Sequence, residues 1–343
     1  MEGAIHLKRM KTLITGGAGF IGSHTALDLW KNGHQVSVVD NYSTSSSRVK
    51  TNINKLAGHE IEFFEGDIRD QKFIFQILKS KEIELVIHLA GLKSIKGSFN
   101  NPKLYDEINV QGTKALVKTM QECQVKKLIF SSSATVYGMP GCLPIIEKTP
   151  LKPIHPYGKN KTEIECFLKE VSHKDSLWRI INFRYFNPIG AHHSLEIGEN
   201  MFSEPNNLVP FILKVLLQEK DELSIFGNDY NTPDGTGVRD YVHIEDIARA
   251  HSKGISYIDN LEEGFQPFNL GSGVGYSVLE IISAFEKVTG KKIPYKFSKR
   301  RDGDVASLYA DISSARKKLL WEPTYSLQDM CASAYHFALK NNY

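Results

Sequence analysis

An α/β fold built on a doubly wound parallel sheet is what this sequence predicts, on three observations. Short apolar runs alternate with helical patterns through the first half of the chain, a glycine-rich turn joins the first run to the first helix, and an acidic residue closes the second run. Lys11 to Thr15 reads as a buried strand, and Phe20 to Lys31 as the helix it feeds. Gln35-Val36-Ser37-Val38-Val39 is a second strand ending at Asp40, followed by a loop rich in Ser and Thr from Asn41 to Ser47. Further runs stand at Ile61 to Phe64, Leu85 to Leu89, Lys127 to Phe130 and Ile180 to Phe183, with helical patterns between them. Such alternation means parallel pairing through right-handed crossovers.

Past Tyr185 the texture changes to longer loops with Pro and Gly, as at Asn187-Pro188, Pro205-Asn206-Asn207 and Thr232 to Gly237. Helices there are shorter, as at Leu208 to Leu217 and Ser277 to Val288. Single cores tend to split near 343 residues, so two domains are expected, 1–185 and 186–343. The amphipathic stretch 242–258 is expected to pack back on the first domain, and residues 1–9 read as an extension ahead of the first strand.

Composition excludes several classes. The chain is 41% hydrophobic and 24% charged, with no low-complexity tract and no internal repeat. Its net charge of +3 comes from scattered pairs such as Lys126-Lys127 and Lys291-Lys292, without the basic stripe that nucleic acid needs. The apolar stretch after Lys8 and Arg9 is too short for a signal peptide, and no segment is long enough to span a membrane. Cys123, Cys142, Cys166 and Cys331 are widely spaced, which fits reduced thiols in a cytoplasmic protein rather than a disulfide framework or zinc site. His88 and the His192-His193 pair read as structural, because no ligand cluster with metal spacing accompanies them in sequence.

Two segments carry the chemistry. In Thr15-Gly16-Gly17-Ala18-Gly19-Phe20-Ile21-Gly22, Gly16 and Gly17 permit a tight turn, Gly19 a close approach of backbone to pyrophosphate, and Gly22 helix-on-strand packing. Asp40, 18 positions beyond Gly22, would hydrogen-bond the adenosine ribose and repel a 2′-phosphate. This is the Rossmann signature, with NAD favoured over NADP. In Tyr157-Gly158-Lys159-Asn160-Lys161, the phenol and the second ammonium lie one helical turn apart. A free tyrosine titrates near pH 10, and Lys161 beside a positive nicotinamide would favour its phenolate. The cluster Ser131-Ser132-Ser133, ending an apolar strand, can offer a hydroxyl to the same substrate oxygen. Together these residues describe redox chemistry at a carbon bearing a hydroxyl.

Several further segments occur in order: Phe130-Ser131-Ser132-Ser133-Ala134-Thr135-Val136-Tyr137-Gly138, Arg184-Tyr185-Phe186-Asn187-Pro188, Asn206-Asn207-Leu208, Gly235-Thr236-Gly237-Val238-Arg239-Asp240-Tyr241 and Arg300-Arg301-Asp302-Gly303-Asp304. With them the chain resembles the extended short-chain dehydrogenase/reductase family, in particular its UDP-hexose 4-epimerases, from Lys11 to the C-terminal region. The resemblance implies an NAD-binding first domain and a smaller nucleotide-sugar domain. It implies a reversible passage through a 4-keto sugar with no net redox change, converting UDP-galactose to UDP-glucose.

By that resemblance Tyr157 is the base, Lys161 its partner and Ser133 the sugar-facing hydroxyl. Cofactor contacts fall on Gly16, Gly19, Phe20, Ile21, Gly22, Asp40, Asn41, Asp67, Ile68, Leu89, Ala90, Gly91, Lys93, Asn109, Tyr157, Lys161 and Tyr185, with Lys161 on the nicotinamide ribose. Nucleotide-sugar contacts fall on Asn187, Asn207, Leu208, Arg239, Arg301 and Asp304, with Phe226 and Tyr241 bordering the uracil and diphosphate. Two converging arginines suit a diphosphate, although Arg239 could instead pair with neighbouring Asp240. The family also implies a homodimer, through helices around Pro102 to Cys123 and Pro156 to Val171.

Leu308 stands where family members restricted to glucose and galactose carry a tyrosine, so UDP-N-acetylglucosamine and UDP-N-acetylgalactosamine are expected to fit as well. The rival reading is a nucleotide-sugar 4,6-dehydratase, whose acid–base work uses an Asp-Glu pair where this chain has Ala134-Thr135. A non-catalytic NAD-binding protein is the remoter alternative, disfavoured by retention of Ser133, Tyr157 and Lys161 together.

Overall fold

The computed structural model describes residues 9–199, 207–301 and 303–341. Most of the N-terminal extension therefore lies outside the described residues, as do Pro205, Asn206 and Asp302 of the quoted motifs. Thirteen strands are described: β1 Lys11–Thr15, β2 Gln35–Asp40, β3 Glu62–Glu65, β4 Leu85–His88, β5 Lys127–Ser133, β6 Arg179–Tyr185, β7 Asn187–Ile189, β8 Leu223–Phe226, β9 Val238–His243, β10 Phe265–Leu270, β11 Gly275–Ser277, β12 Tyr295–Ser298 and β13 Ser307–Leu308.

Seven of them form one parallel sheet in the order β10-β6-β5-β4-β1-β2-β3. β1 and β4 are buried almost throughout, as a parallel sheet covered by helices on both faces requires. Because β1 lies between β2 and β4, the winding reverses beside it, and a crevice opens at the carboxyl ends of these strands.

Two features of the sheet escape the apolar pattern. β5 continues past Phe130 through three serines, in register with Phe183 to Tyr185. Backbone pairing needs no apolar side chain, and the hydroxyl of Ser132 donates to Glu165. β10 carries Pro267 and polar residues, yet it pairs with β6 at the sheet edge, where a missing N–H is tolerated.

The remaining strands build the second lobe. β11, β9 and β13 form a sheet with β7 against β9, and β12 pairs with β8. Its own core gathers Ile212, Leu213, Ile281, Phe285 and Met330. Helix Ile244–Tyr257 packs on helix Phe20–Lys31. Asp240 fastens the lobes further: its buried carboxylate accepts from the N–H groups of Ser272 (2.6 Å) and Gly273 (3.1 Å) just after β10, and of Ala310 (3.0 Å) just after β13. Among the described residues, no helix is long and apolar enough to cross a membrane.

Candidate active site

The glycine turn sits over the crevice. Gly16 has a φ of 71°, and a side chain there would place its first carbon 2.6 Å from the Ala90 amide nitrogen. At Gly22 the same atom would lie 2.3 Å from the Gly16 carbonyl oxygen. Strand end, turn and helix therefore meet backbone to backbone. The Phe20–Lys31 helix has neither a side-chain cap nor an acidic residue in its first turn, which leaves its N-terminal amides to an anion. Asp40 ends β2 with its carboxylate accepting from Ala18 N–H, Tyr42 N–H and Ser45 Oγ, each at 2.9 Å. A turn open to pyrophosphate with a fixed negative charge beside it fits NAD.

Around this cradle the expected cofactor residues divide by what holds them. Leu89 and Ala90 continue β4 by donating to Thr15. Asn109 grips Leu92 through both its amide atoms, at 2.8 and 3.0 Å, and so shapes the 89–93 segment. Asp67 is clasped by Arg69 and by Asn41 Nδ2 (3.2 Å), and Ile68 is buried. Lys93, the expected phosphate cation, pairs with Glu199 at 3.0 Å. Tyr185 is buried with its hydroxyl 2.8 Å from His251 Nε2.

Tyr157 and Lys161 occupy the first two turns of helix Pro156–Lys174. Pro156 opens it, and the ring of His155 caps it by accepting from Gly158 N–H at 3.0 Å. Lys161 is buried and donates to Ser131 O at 2.6 Å, its nitrogen 5.8 Å from the Tyr157 ring centre. Among the described residues that carbonyl is its only hydrogen-bond acceptor, leaving two ammonium protons for a bound partner. Ser133 ends β5 and caps the short turn Ala134–Tyr137. The helix thus brings phenol, ammonium and hydroxyl together at the carboxyl end of β5, as their spacing predicts.

Their electrostatics differ from the sequence expectation. Burial pushes the Tyr157 phenol well above its ordinary range, opposed by a hydrogen bond with Ser133, and it pushes Lys161 down to about 8. Desolvation is the largest cause of both shifts, so the expected phenolate does not arise from Lys161 alone. The phenol is held neutral, as a proton carrier awaiting an added positive charge.

In the second lobe the alternative pairing of Arg239 with Asp240 is absent. Asp240 is turned inward, whereas Arg239 lies 3.9 Å from Asp304 and Arg301 donates to the same carboxylate at 3.0 Å. Both guanidinium groups therefore converge on one place beside Phe226, whose ring centre is 4.6 Å from Arg301. Asn187 pairs with Tyr241 across β7 and β9, Asn207 starts helix Leu208–Leu216, and Leu308 lies opposite Arg239.

Sequence reading missed a buried pair one turn beyond Lys161. Glu165 binds Arg184 through three contacts of 2.6 to 3.2 Å and accepts from Ser132 Oγ at 2.5 Å. Arg184 also reaches Tyr137 and the Glu147 carbonyl. Its available signal was a charge at each of two positions that the periodicity buries. His88, expected from the sequence to be structural, is buried between two threonines. Its Nδ1 lies 2.7 Å from Thr15 Oγ1, and its Nε2 lies 2.8 Å from Thr113 Oγ1, which itself donates to Asn109 O.

Burial pushes His88 down to about 3, so it stays neutral while an unfolded histidine, near 6.5, takes a proton as pH falls. Stability from this group is therefore complete above about pH 6.5 and is lost progressively on acidification. Urea midpoints at pH 7.5 and 5 should show wild type losing roughly 2 kcal/mol more than His88→Gln. Equal losses would assign the acid sensitivity elsewhere.

A sequence family described as GDP-mannose 4,6 dehydratase matches residues 13–334. The chain is 44% identical to the UDP-glucose 4-epimerase of Bacillus subtilis over 97% of its own length and 98% of that protein. It is likewise 44% identical to that of Dictyostelium discoideum, over 96% of each. Among solved structures, a UDP-glucose-4-epimerase from Stenotrophomonas maltophila with bound NAD and formylated UDP-arabinopyranose superposes with a TM-score of 0.95 at 39% identity, covering 98% of this chain and all of that one. The Bifidobacterium longum UDP-glucose 4-epimerase in complex with NAD+ and UDP gives 0.93 at 44% identity, covering 96% of this chain and 98% of that one. Where dehydration chemistry would need carboxylates, Ala134 is buried and Thr135 donates to Ser133 at 3.0 Å.

Proposed function

The chain belongs to the UDP-glucose 4-epimerase family, and on that premise we propose that it interconverts UDP-galactose and UDP-glucose with NAD and no net oxidation or reduction. The observation that carries this reading is Tyr157, Lys161 and Ser133 at the carboxyl end of β5, with no carboxylate in the two residues that follow.

When bound, NAD supplies reversible oxidation at the sugar C4 and is restored within each cycle. Tyr157 Oη, ionised when positive charge is added beside it, takes the proton of the C4 hydroxyl and gives it back to the same oxygen after the hexose has turned, with Ser133 Oγ sharing that oxygen. Lys161, anchored on Ser131 O, keeps a positive charge beside that transfer. Arg239 and Arg301 grip the diphosphate bidentately, in place of the carboxylate that now bridges them. Anchoring by the diphosphate leaves the hexose free to present either face. Purified protein given UDP-galactose, without added NAD, should yield UDP-glucose on chromatographic separation. Activity wholly dependent on stoichiometric NAD, or a 4-keto-6-deoxy product, would overturn the reading.

N-acetylated UDP-hexoses belong to the same proposal. Leu308 is buried beside Arg239, and its side chain is shorter than the tyrosine of restricted relatives. Leu308→Tyr should lower turnover of UDP-N-acetylgalactosamine by roughly tenfold or more relative to UDP-galactose. Equal loss on both would show that Leu308 only fills the core.

A cytoplasmic homodimer completes the proposal. Four free cysteines support the location. Ile95, Phe99 and Leu104, exposed next to helix Pro156–Lys174, support the dimer face. A single-chain sedimentation mass would overturn it.

A further inference from the structure

His192 and His193 gain from the fold a companion that no local spacing announces. Glu245, 52 residues beyond His193, opens helix Ile244–Tyr257 and lies against the loop that follows β7. Its Oε1 is 3.0 Å from His193 Nδ1 and 3.6 Å from His192 Nε2, and all three atoms lie within 4.8 Å of one another. Ligands on a tetrahedral zinc ion, at bond lengths of about 2.1 Å, stand roughly 3.4 Å apart. Two imidazoles and a carboxylate is moreover the donor set of three-ligand zinc sites that keep a fourth position for water.

The surroundings complete such a site. Tyr325 donates to the other oxygen of Glu245, which turns Oε1 toward the histidines. Ser194 holds the far nitrogen of His192: its hydroxyl lies 2.8 Å from Nδ1 and its amide N–H donates to Nδ1 at 3.2 Å, which fixes the ring with Nε2 toward Glu245. His193 is 69% exposed, which gives an ion a way in. A cation already points at the spot: the ammonium of Lys31, an exposed side chain, lies 3.2 Å from His192 Nε2.

We infer that His192 Nε2, His193 Nδ1 and Glu245 Oε1 bind one divalent transition-metal ion of the Zn2+ class, with the Lys31 ammonium as its competitor. Such an ion would tie the post-β7 loop to the helix that packs on the cofactor-turn helix. The site shares no residue with the proposed sugar chemistry, so it stands or falls independently of that reading.

Isothermal titration of the EDTA-treated, NAD-containing protein with ZnCl2 at pH 7.5 tests it. One ion per chain is expected, with affinity at least about tenfold weaker in His193→Ala and in Glu245→Gln. Lys31→Ala should bind several-fold more tightly, because the competing ammonium is gone. His193→Ala changes an exposed side chain and keeps the test available if Glu245→Gln folds poorly. Absence of saturable binding overturns the site. So does binding unchanged in His193→Ala, which would place the ion elsewhere, for example on the exposed thiols of Cys142 or Cys166. Weaker binding by Lys31→Ala would equally reject Lys31 as competitor.

Discussion

Tyr157→Phe is expected to lower turnover of UDP-galactose by roughly 10²- to 10⁴-fold while NAD stays bound. The substitution removes one oxygen and leaves the helix start intact, because His155 and Pro156 set that turn and the Tyr157 amide donates to Ser98. Burial favours the neutral phenol, so a positive charge added beside it makes the phenolate that takes the C4 proton and gives it back, which Phe cannot do. Lys161 remains on Ser131 O, so the cofactor cradle keeps its cation. Progress curves on UDP-galactose, with NAD content measured after denaturing the same sample, separate the two effects. Turnover within tenfold of wild type would remove Tyr157 from the mechanism. Loss of NAD along with activity would make its role one of cofactor retention instead.

Arg184→Met should be the most destabilising single change considered, costing about 3–5 kcal/mol. It leaves the Glu165 carboxylate, 3% exposed, without its counter-charge. It also frees Tyr137 and the Glu147 carbonyl from their shared donor. A fall in thermal midpoint of roughly 10 °C is expected. Adding Glu165→Met should recover much of it, since removing both charges also removes the unpaired one. A double variant no better than the single would show that the pair acts through its hydrogen bonds to Ser132 and Tyr137. The position matters to chemistry too, because Glu165 fixes Ser132, the residue before Ser133. Turnover of the folded single variant should therefore fall while the affinity for UDP-hexose changes little.

Much of the site is legible in the chain because its chemistry is local. A glycine turn between strand and helix, or a phenol and an ammonium four residues apart, needs only its own segment to acquire its geometry. The two arginines were legible only as a resemblance: Arg239 and Arg301 belong to different segments, and nothing in either announces that both reach Asp304. β10 was hidden for a related reason. Its Pro267 argues against a strand until the strand is known to lie at an edge.

By itself the sequence determined the parallel sheet, the cofactor turn, the acidic end of the second strand at Asp40 and the Tyr157–Lys161 pair. Each of these follows from spacing along one strand, one turn or one helix. Tertiary structure alone decided the neutral state of Tyr157, the inward turn of Asp240 and the Glu165–Arg184 network. It alone also decided the meeting of Glu245 with His192 and His193. These depend on desolvation and on contacts between distant segments, and neither burial nor long-range pairing is written in the spacing of any one stretch of chain.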